Sequence, residues 1–219
     1  MMDSITFRAE RNGSAISGSS SYSSTVKEYA DTLSSDPSWA GLMNAMLKYG
    51  AAAQQYFGYN TSNTPADILG GISYDSSSIS GIAFSSGYTS YIVGNRVGLT
   101  LNCESSTDLN LYVRPLHYYD QNATITAASA VNSSSVSVPV TWKKNGDFWE
   151  VTVSDLKAED LNERFTFTVT VHDNSGNHNV TITCSALNWV KSAIVKGTAN
   201  SQILAKAVGV YAAEAEKMA

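Results

Sequence analysis

The sequence predicts an α+β protein, an Ig-like antiparallel β-sandwich flanked by two related helical hairpins. From about residue 88 to 184, apolar and polar residues alternate, which is typical of strands with one buried face. On both sides of this region the apolar residues recur at helical spacing instead. We therefore expect an N-terminal hairpin and helical pair over 1–75, the β-sandwich over 76–185 and a C-terminal helical pair over 186–219. The two helical pairs should pack on each other.

The N-terminal part predicts a hairpin over residues 5–23 that turns at Asn12-Gly13. Ser24 or Thr25 can cap a short helix, and Asp36-Pro37 precede a longer helix over about 38–57. A further short helix is expected near 64–69, before a serine-rich linker. Helical spacing gives the longer helix a predicted apolar face of Leu42, Met46, Tyr49, Ala53 and Tyr56.

Within the alternating region, strands are expected over 88–93, 97–104, 109–116, 122–128, 135–143, 148–153, 164–172 and 178–184. A two-residue turn at Asn145-Gly146 is the strongest hairpin signal and would place Trp142 opposite Trp149. Both tryptophans share the parity of apolar residues such as Val151, so we expect both in the core. Truncating either to alanine should then cost about 3–5 kcal/mol. Residues 155–161 predict a crossover between the sheets.

The two helical pairs are related as an internal repeat. Shifts of 161 and then 162 positions superimpose nine residues of the first pair on the second. Ser24, Val26, Tyr29, Leu33, Leu42, Ala45, Tyr49, Ala51 and Ala53 correspond to Ser185, Leu187, Val190, Ile194, Ile203, Ala207, Tyr211, Ala213 and Ala215. We therefore expect the parent protein to repeat a unit of one sheet and two helices, and neighbouring repeats to be partners of this one.

Residues 45–61, AMLKYGAAAQQYFGYNT, resemble the repeated domains of large surface proteins of gut Firmicutes, especially Lachnospiraceae and Ruminococcaceae. Residues 165–169 and 185–187, which lead into the helix of Tyr211, are similar to the same domains. Some similar proteins are B-cell superantigens that bind immunoglobulin variable regions outside the antigen site. The resemblance implies a secreted or cell-wall-anchored, modular and non-catalytic protein of a Gram-positive bacterium. Its matching residues are helix-packing positions, so it transfers no binding residue.

Composition excludes several classes of partner. The chain has 219 residues with 14 Lys+Arg against 19 Asp+Glu, a net charge of −5. No basic cluster could displace counterions from a nucleic acid, so we expect none as a partner. No apolar run reaches the length of roughly 18 residues that a membrane span needs, and Met1-Met2 begin no signal peptide. Charged residues are only 15%, which together with many Ser, Thr, Asn and Tyr is common in extracellular modules.

The sequence offers little for catalysis or metal binding, and we expect no enzyme, no cofactor and no metal site. Cys103 and Cys184 each end an alternating run, so they could bridge two sheets or be two free buried thiols. Neither has a second ligand at zinc spacing. His172 and His178 flank a turn that holds Asp173, where a two-histidine site is conceivable but polar turn roles are commoner. No nucleophile elbow, phosphate loop, dinucleotide motif or calcium loop is present.

Exposed aromatic residues are the remaining functional signal. Alternation along a strand or a loop position places five residues outward, the predicted binding residues Tyr112, Arg114, Tyr118, Tyr119 and Phe148. Tyrosine and arginine are hot-spot residue types. We expect them to bind a host protein, with an immunoglobulin variable region the first candidate through the resemblance. Two alternatives remain open, a carbohydrate-binding module of a surface glycan-utilisation system and a structural spacer without a ligand. If the sandwich does not bind, the helices offer Gln54, Gln55, Tyr56 and Tyr59.

Overall fold

The structure is a computed structural model of the chain. It describes residues 4–7, 10–11, 14–15, 22–59, 69, 71–92, 98–102, 106–116 and 122–218. The helices are α1 (Val26–Leu33), α2 (Pro37–Phe57), α3 (Ala186–Lys196) and α4 (Ala199–Glu216), with 3₁₀ turns at Tyr88–Ser90 and Glu159–Asn162. None of the described helices is both long and apolar enough to cross a lipid bilayer.

The strands form two larger antiparallel sheets and an N-terminal hairpin. In chain order the strands are β1 (Ser4–Phe7), β2 (Glu10–Arg11), β3 (Ser14–Ala15), β4 (Tyr22–Thr25), β5 (Ala83–Phe84), β6 (Gly98–Asn102), β7 (Asp108–Val113), β8 (Thr124–Val131), β9 (Ser137–Val138), β10 (Thr141–Asn145), β11 (Phe148–Val153), β12 (Phe165–Asp173) and β13 (Gly176–Cys184). Sheet I has the order β10-β11-β7-β6, and sheet II has the order β5-β13-β12-β8-β9. The α+β class and the two antiparallel sheets agree with the prediction.

The N-terminal hairpin is confirmed at the level of strand pairing. Strand β1 pairs with β4, and β2 pairs with β3 through Arg11 and Ser14, while the predicted turn residues Asn12 and Gly13 lie outside the described residues. Thr25 caps α1 through a capping box with Glu28. Apart from Leu69, the short helix expected near 64–69 lies outside the described residues.

Two predicted strands differ from the structure. Residues 88–93 were expected as a strand but begin with the 3₁₀ turn Tyr88–Ser90. The run 135–143 is two strands in two sheets, since β9 pairs with β8 and β10 pairs with β11. Pro139 lies between them, and a proline has no N–H to donate to a strand ladder. The chain therefore leaves sheet II at this residue and enters sheet I.

The core lies between the two sheets, in a sandwich-like arrangement. Alternate residues of β7 and β11 are buried on one side, among them Leu111 and Val151. Alternate residues of β12 and β13 are buried on the other, among them Phe167 and Ile182. All four belong to one continuous cluster of buried side chains, as expected from a period-two pattern with one apolar face.

The prediction that Trp142 and Trp149 are both core residues is wrong. Their parity is as expected, since Trp142 pairs with the buried Val151. However, β10 is an edge strand, so its inward side is covered only in part, and Trp142 is 37% exposed. The register also differs, because Asn145 pairs with Phe148 and the turn is Gly146-Asp147. Trp149 therefore lies opposite Lys144 rather than Trp142, and it is half-buried.

Helix α2 is buried on two sides rather than along the single predicted face. Met43 and Leu47 pack with Ala30 of α1 in a small separate cluster, while Ala52 belongs to the main core. Of the predicted face, Leu42, Met46, Tyr49 and Ala53 are half-buried and Tyr56 is exposed. The other side of α2 packs on α4, where the rings of Tyr49 and Tyr211 stack with centroids 5.4 Å apart.

Cys184 is a buried free thiol at the end of β13. Cys103 lies outside the described residues. Of the two alternatives that the sequence left open, the structure therefore has Cys184 as a free cysteine.

Candidate binding face

Three of the five predicted binding residues lie on one face of sheet I. Tyr112 pairs with Glu150, and Phe148 is two residues from Glu150 along β11, so both side chains lie on the side opposite the buried Val151. Arg114 is the residue after β7 and lies two positions from Tyr112, so the alternation places it on the same side. We call this surface the outer face of sheet I. Tyr118 and Tyr119 lie outside the described residues.

Ionic contacts surround the aromatic side chains on the outer face. Lys143 Nζ lies 3.6 Å from Glu150 Oε1, and Asn145 Nδ2 donates to Glu150 Oε2 at 3.2 Å. Arg114 Nη2 lies 3.4 Å from Asp147 Oδ2, on the turn between β10 and β11. These contacts hold charged groups of both signs beside the rings.

Arg114 has spare hydrogen-bonding capacity. Its partner Asp147 is 73% exposed at the side chain, and such solvated ion pairs contribute little to stability. Its Nε is buried, with no hydrogen-bond partner among the described residues. A planar guanidinium presents five donors, so Arg114 can donate hydrogen bonds to a carboxylate or carbonyl oxygen of a partner without losing a strong internal contact.

The half-buried state of Tyr112 and Phe148 suits a recognition surface. Partial burial limits the rotamer entropy that each side chain loses on binding, while its exposed part stays open to a partner. Sequence parity identified these residues as outward and placed Phe148 beside Lys143, whereas in the structure Phe148 pairs with Asn145 and Lys143 pairs with Glu150. The sequence did not identify Glu150 as the neighbour of Tyr112. That contact depends on the register between β7, β11 and β10.

A second aromatic feature lies at the edge of the sandwich. The rings of Trp142 and Trp149 have centroids 5.1 Å apart and are tilted by 44°. Beside them is a depression of about 320 Å³. Its lining includes Pro115, Asn122, Thr124, Lys144, Asp147 and Trp149. The sequence predicted that the two tryptophans are near each other, but it placed both in the core and missed the depression beside them.

A groove of about 460 Å³ opens where β9 passes into β10. Apolar side chains form its floor, and Asp160 and Glu163 are at its rim. Both carboxylates have structural partners, since the Ser133 N–H donates to Glu163 Oε1 at 2.6 Å and the Lys157 N–H donates to Asp160 Oδ2 at 3.0 Å. Both carboxylates therefore have structural roles at the crossover between β11 and β12, which the sequence predicted over 155–161.

The histidine turn does not place its two imidazoles together. His172 pairs with Asn177, whereas His178 pairs with Val171 on the other face of sheet II and stacks on Tyr91 with centroids 4.2 Å apart. Hydrogen bonds from the Ser175 hydroxyl and backbone N–H lower the pKa of Asp173, with a smaller contribution from His178.

The contacts of His178 differ from those of a nucleophilic triad. Ser175 Oγ and Asp173 Oδ1 lie 2.7 and 3.2 Å from the same ring atom, Nε2. A triad instead requires the carboxylate and the hydroxyl on different ring nitrogens. The Ser175 hydroxyl also donates to Asp173 at 2.7 Å, as in an ordinary polar turn. In the described part of the chain, no group of three or more His, Cys, Asp or Glu side chains is placed to hold a metal ion.

The alternative site on the helices forms a small aromatic cluster at the end of α2. Phe57 contacts Tyr56 edge-on at 5.0 Å and stacks on Tyr59 at 5.8 Å, measured between centroids. Tyr56 and Tyr59 are exposed, while Gln54 and Gln55 are half-buried. This cluster and the outer face of sheet I belong to different elements, so they are separate candidates.

Comparisons of the chain with protein-family models, with curated proteins and with solved structures found no match.

Proposed function

We propose that this chain is a non-catalytic binding module of an extracellular bacterial surface protein, and that the outer face of sheet I binds a host protein. The observation that carries the proposal is the grouping of Tyr112, Arg114 and Phe148 on that face. Tyrosine and arginine are the residue types that most often dominate protein interfaces. The Lys143–Glu150 pair beside them supplies the polar rim that such interfaces have.

The size of the sheet indicates that neighbouring loops take part. Four strands spaced by roughly 4.8 Å and about six residues long give a flat area of about 400 Å². A standard protein interface buries roughly 800 Å² on each partner. The segment 117–121 follows Arg114 closely in sequence, so Tyr118 and Tyr119 remain part of the proposed site.

We further propose that the sandwich is Ig-like. Eight strands from β6 to β13 alternate between the sheets in hairpin pairs, and β11 pairs with β7 while β12 pairs with β8. If β6 to β13 are named A, B, C, C′, D, E, F and G, the sheet orders become D-E-B-A and G-F-C-C′. The same A-B-E-D and G-F-C sheets define immunoglobulin domains.

The first partner to test is an immunoglobulin variable region, on the strength of the resemblance to the superantigen-containing surface proteins. The purified chain is passed over immobilised polyclonal Fab fragments and over human serum proteins. Single substitutions Tyr112→Ala, Arg114→Ala and Phe148→Ala should weaken binding tenfold or more for the true anchors, about 1.4 kcal/mol each.

The matched control is Ser129→Ala, an exposed position on the outer side of sheet II. It should leave both affinity and melting temperature unchanged. If a captured partner binds equally well to all three sheet I variants and to variants at Tyr118 and Tyr119, the sheet face is not the site. Variants at Tyr56 and Tyr59 then test the helical alternative.

A carbohydrate ligand is the second candidate, because Trp142 is exposed beside a depression that holds Asn122, Lys144 and Asp147. An indole face stacks on a sugar ring, and amide or carboxylate groups bind its hydroxyls. The 44° tilt between Trp142 and Trp149 does not make a flat row, so one sugar ring fits better than an extended chain. A glycan array with wild type and Trp142→Ala tests this candidate, and loss of signal only in the variant supports it. A chain that binds neither class would fit the spacer alternative.

A further inference from the structure

The two helical pairs begin in the same way. Helix α1 follows Thr25 and helix α3 follows Ser185, and each cap forms a capping box with the third residue of its helix. Each cap also lies at the end of an antiparallel strand, since Thr25 is the last residue of β4 and Ser185 directly follows β13. The structure therefore shows the same local unit twice.

The second helix of each pair gives the equivalence between residues. The N-caps of α2 and α4 are Asp36 and Thr198, which are 162 positions apart. The shift is therefore 162 from the start of these helices, and Ile203 corresponds to Gly41 rather than to the expected Leu42. The same shift makes Tyr49 equivalent to Tyr211, and these two rings stack on each other with an interplanar angle of 9°. A two-fold relation between two units brings equivalent residues at its axis into contact, as in this stack.

Other contacts follow the same two-fold relation. A Cβ on Gly41, near the start of α2, would approach Glu214, near the end of α4, so the two helices run antiparallel. The same shift relates Gly41 to Ile203 and Glu214 to Ala52; Ala52 lies in the main core cluster, and Ile203 packs against that cluster.

Burial is equivalent as well. Ala45 and Ala207 lie one turn before the two tyrosines and are 1% and 0% exposed. Gly50 and Ala212, which follow the tyrosines, are also buried in both copies.

We propose that the surface centred on Tyr49, and equally the surface centred on Tyr211, is a self-complementary docking surface whose partner is another copy of the same helical pair. Within this chain the surface on α2 and the surface on α4 cover each other. An isologous contact of this kind closes after two copies and does not extend into a filament. A protein with several such units would therefore join its helical pairs two at a time.

The test uses two full-length variants that each block one copy of the surface. Ala45→Glu places a charge at the α2 surface and leaves the α4 surface free, while Ala207→Glu does the reverse. If the surface is self-complementary, each variant alone forms a dimer, one through α4 and the other through α2. Sedimentation velocity should then give a mass twice that of the 23.4 kDa chain for each variant. Asn44→Glu, on the exposed side of α2, is the matched control and should sediment like wild type.

Two outcomes overturn the proposal. Variants that dimerise only when mixed would show two different complementary surfaces, and variants that remain folded monomers would show that the surfaces do not associate between chains. If either glutamate variant loses its helical circular dichroism, Tyr49→Ala and Tyr211→Ala replace it, because they remove the stack without burying a charge. Sedimentation velocity of these two variants then distinguishes dimer from monomer in the same way. None of these residues belongs to the outer face of sheet I, so the result is independent of the proposed function.

Discussion

At the scale of single residues, Cys184 shows how burial controls chemistry. The side chain is fully buried at the end of β13. Desolvation raises the pKa of its thiol from 9.0 to about 12, although the nearby Arg164 guanidinium acts in the opposite direction. The thiolate is the reactive form of cysteine, so this residue is inert in the folded chain at neutral pH.

We expect stability to fall at alkaline pH through this thiol. Below pH 9 the thiol is protonated in both the folded and the unfolded chain, so it does not make the free energy of unfolding depend on pH. Between pH 9 and 12 only the unfolded chain loses it, and the free energy of unfolding decreases by up to about 1.4 kcal/mol per pH unit. Urea unfolding at pH 8, 9 and 10 measures the slope for wild type and for Cys184→Ala. If the free energy of unfolding of Cys184→Ala fell with pH as steeply as that of wild type, Cys184 would not be the group responsible.

Thiol labelling provides the control for that prediction. In a Cys103→Ser background, Cys184 should react with a thiol reagent only after denaturant is added. Rapid labelling of the folded chain would show that the side chain is accessible.

Trp142 and Leu111 lie on the same inward side of sheet I but differ in exposure. Leu111 is 0% exposed, and Leu111→Ala should lower the free energy of unfolding by about 2–5 kcal/mol. Trp142 is on the edge strand, so we expect Trp142→Ala to cost less than half as much as Leu111→Ala. This revises the value of about 3–5 kcal/mol expected from sequence parity. Urea denaturation of both variants shows which one loses more free energy of unfolding. Equal losses would mean that Trp142 on the edge strand is covered as well as Leu111 is.

At the scale of elements, the helices make close contacts through glycine. Gly209 of α4 lies against the ring of Tyr74, and a Cβ there would be 2.6 Å from that ring. Gly41 of α2 meets instead the carboxylate end of Glu214, a flexible group that can move away. Both glycines lie within helices, but their neighbours differ in rigidity.

Alanine at these two positions should therefore change stability in opposite directions. Gly to Ala in a helix normally stabilises by about 0.5–1 kcal/mol, through the lower entropy of the unfolded chain. Gly41→Ala should show this gain because only the Glu214 side chain must move. Gly209→Ala should destabilise because the Tyr74 ring cannot shift without opening the core. Thermal melts of both variants decide, and a stabilising Gly209→Ala would disprove the close contact with Tyr74.

At the scale of the whole molecule, one core connects the helices with both sheets. The main cluster contains Ala52 of α2, Leu111 of sheet I, Phe167 of sheet II, Val190 of α3 and Ala205 of α4. A division of the sequence into helical and strand segments therefore does not correspond to separate buried cores, apart from the small cluster between α1 and α2.

We expect the chain to unfold in a single cooperative transition. Loss of either sheet would expose the buried faces of the helices, so partly folded states lose much of their burial energy. Differential scanning calorimetry should give a van't Hoff enthalpy equal to the calorimetric enthalpy. Two resolved transitions would show that the helical pairs and the sandwich unfold independently.

Local sequence patterns determined where the elements lie. The strand expected over 148–153 has the same bounds as β11, and the helix expected over 38–57 differs from α2 by one residue. Residue periodicity and the Asp36 cap depend only on neighbours in sequence, so one sequence contains this information. The hairpin near Gly146 was also predicted, but its turn lies one residue later than expected. The same reasoning placed Tyr112 and Phe148 on outward positions, because side chains alternate along any strand.

Only the tertiary structure decided which elements are neighbours. It placed Trp142 on an edge strand and Tyr112 beside Glu150, and it split residues 135–143 between two sheets. It also brought Tyr49 onto Tyr211, although the sequence had already indicated that they are equivalent. These contacts join residues far apart in the chain. They form because the packing of whole apolar faces minimises the free energy, and no local pattern contains that information.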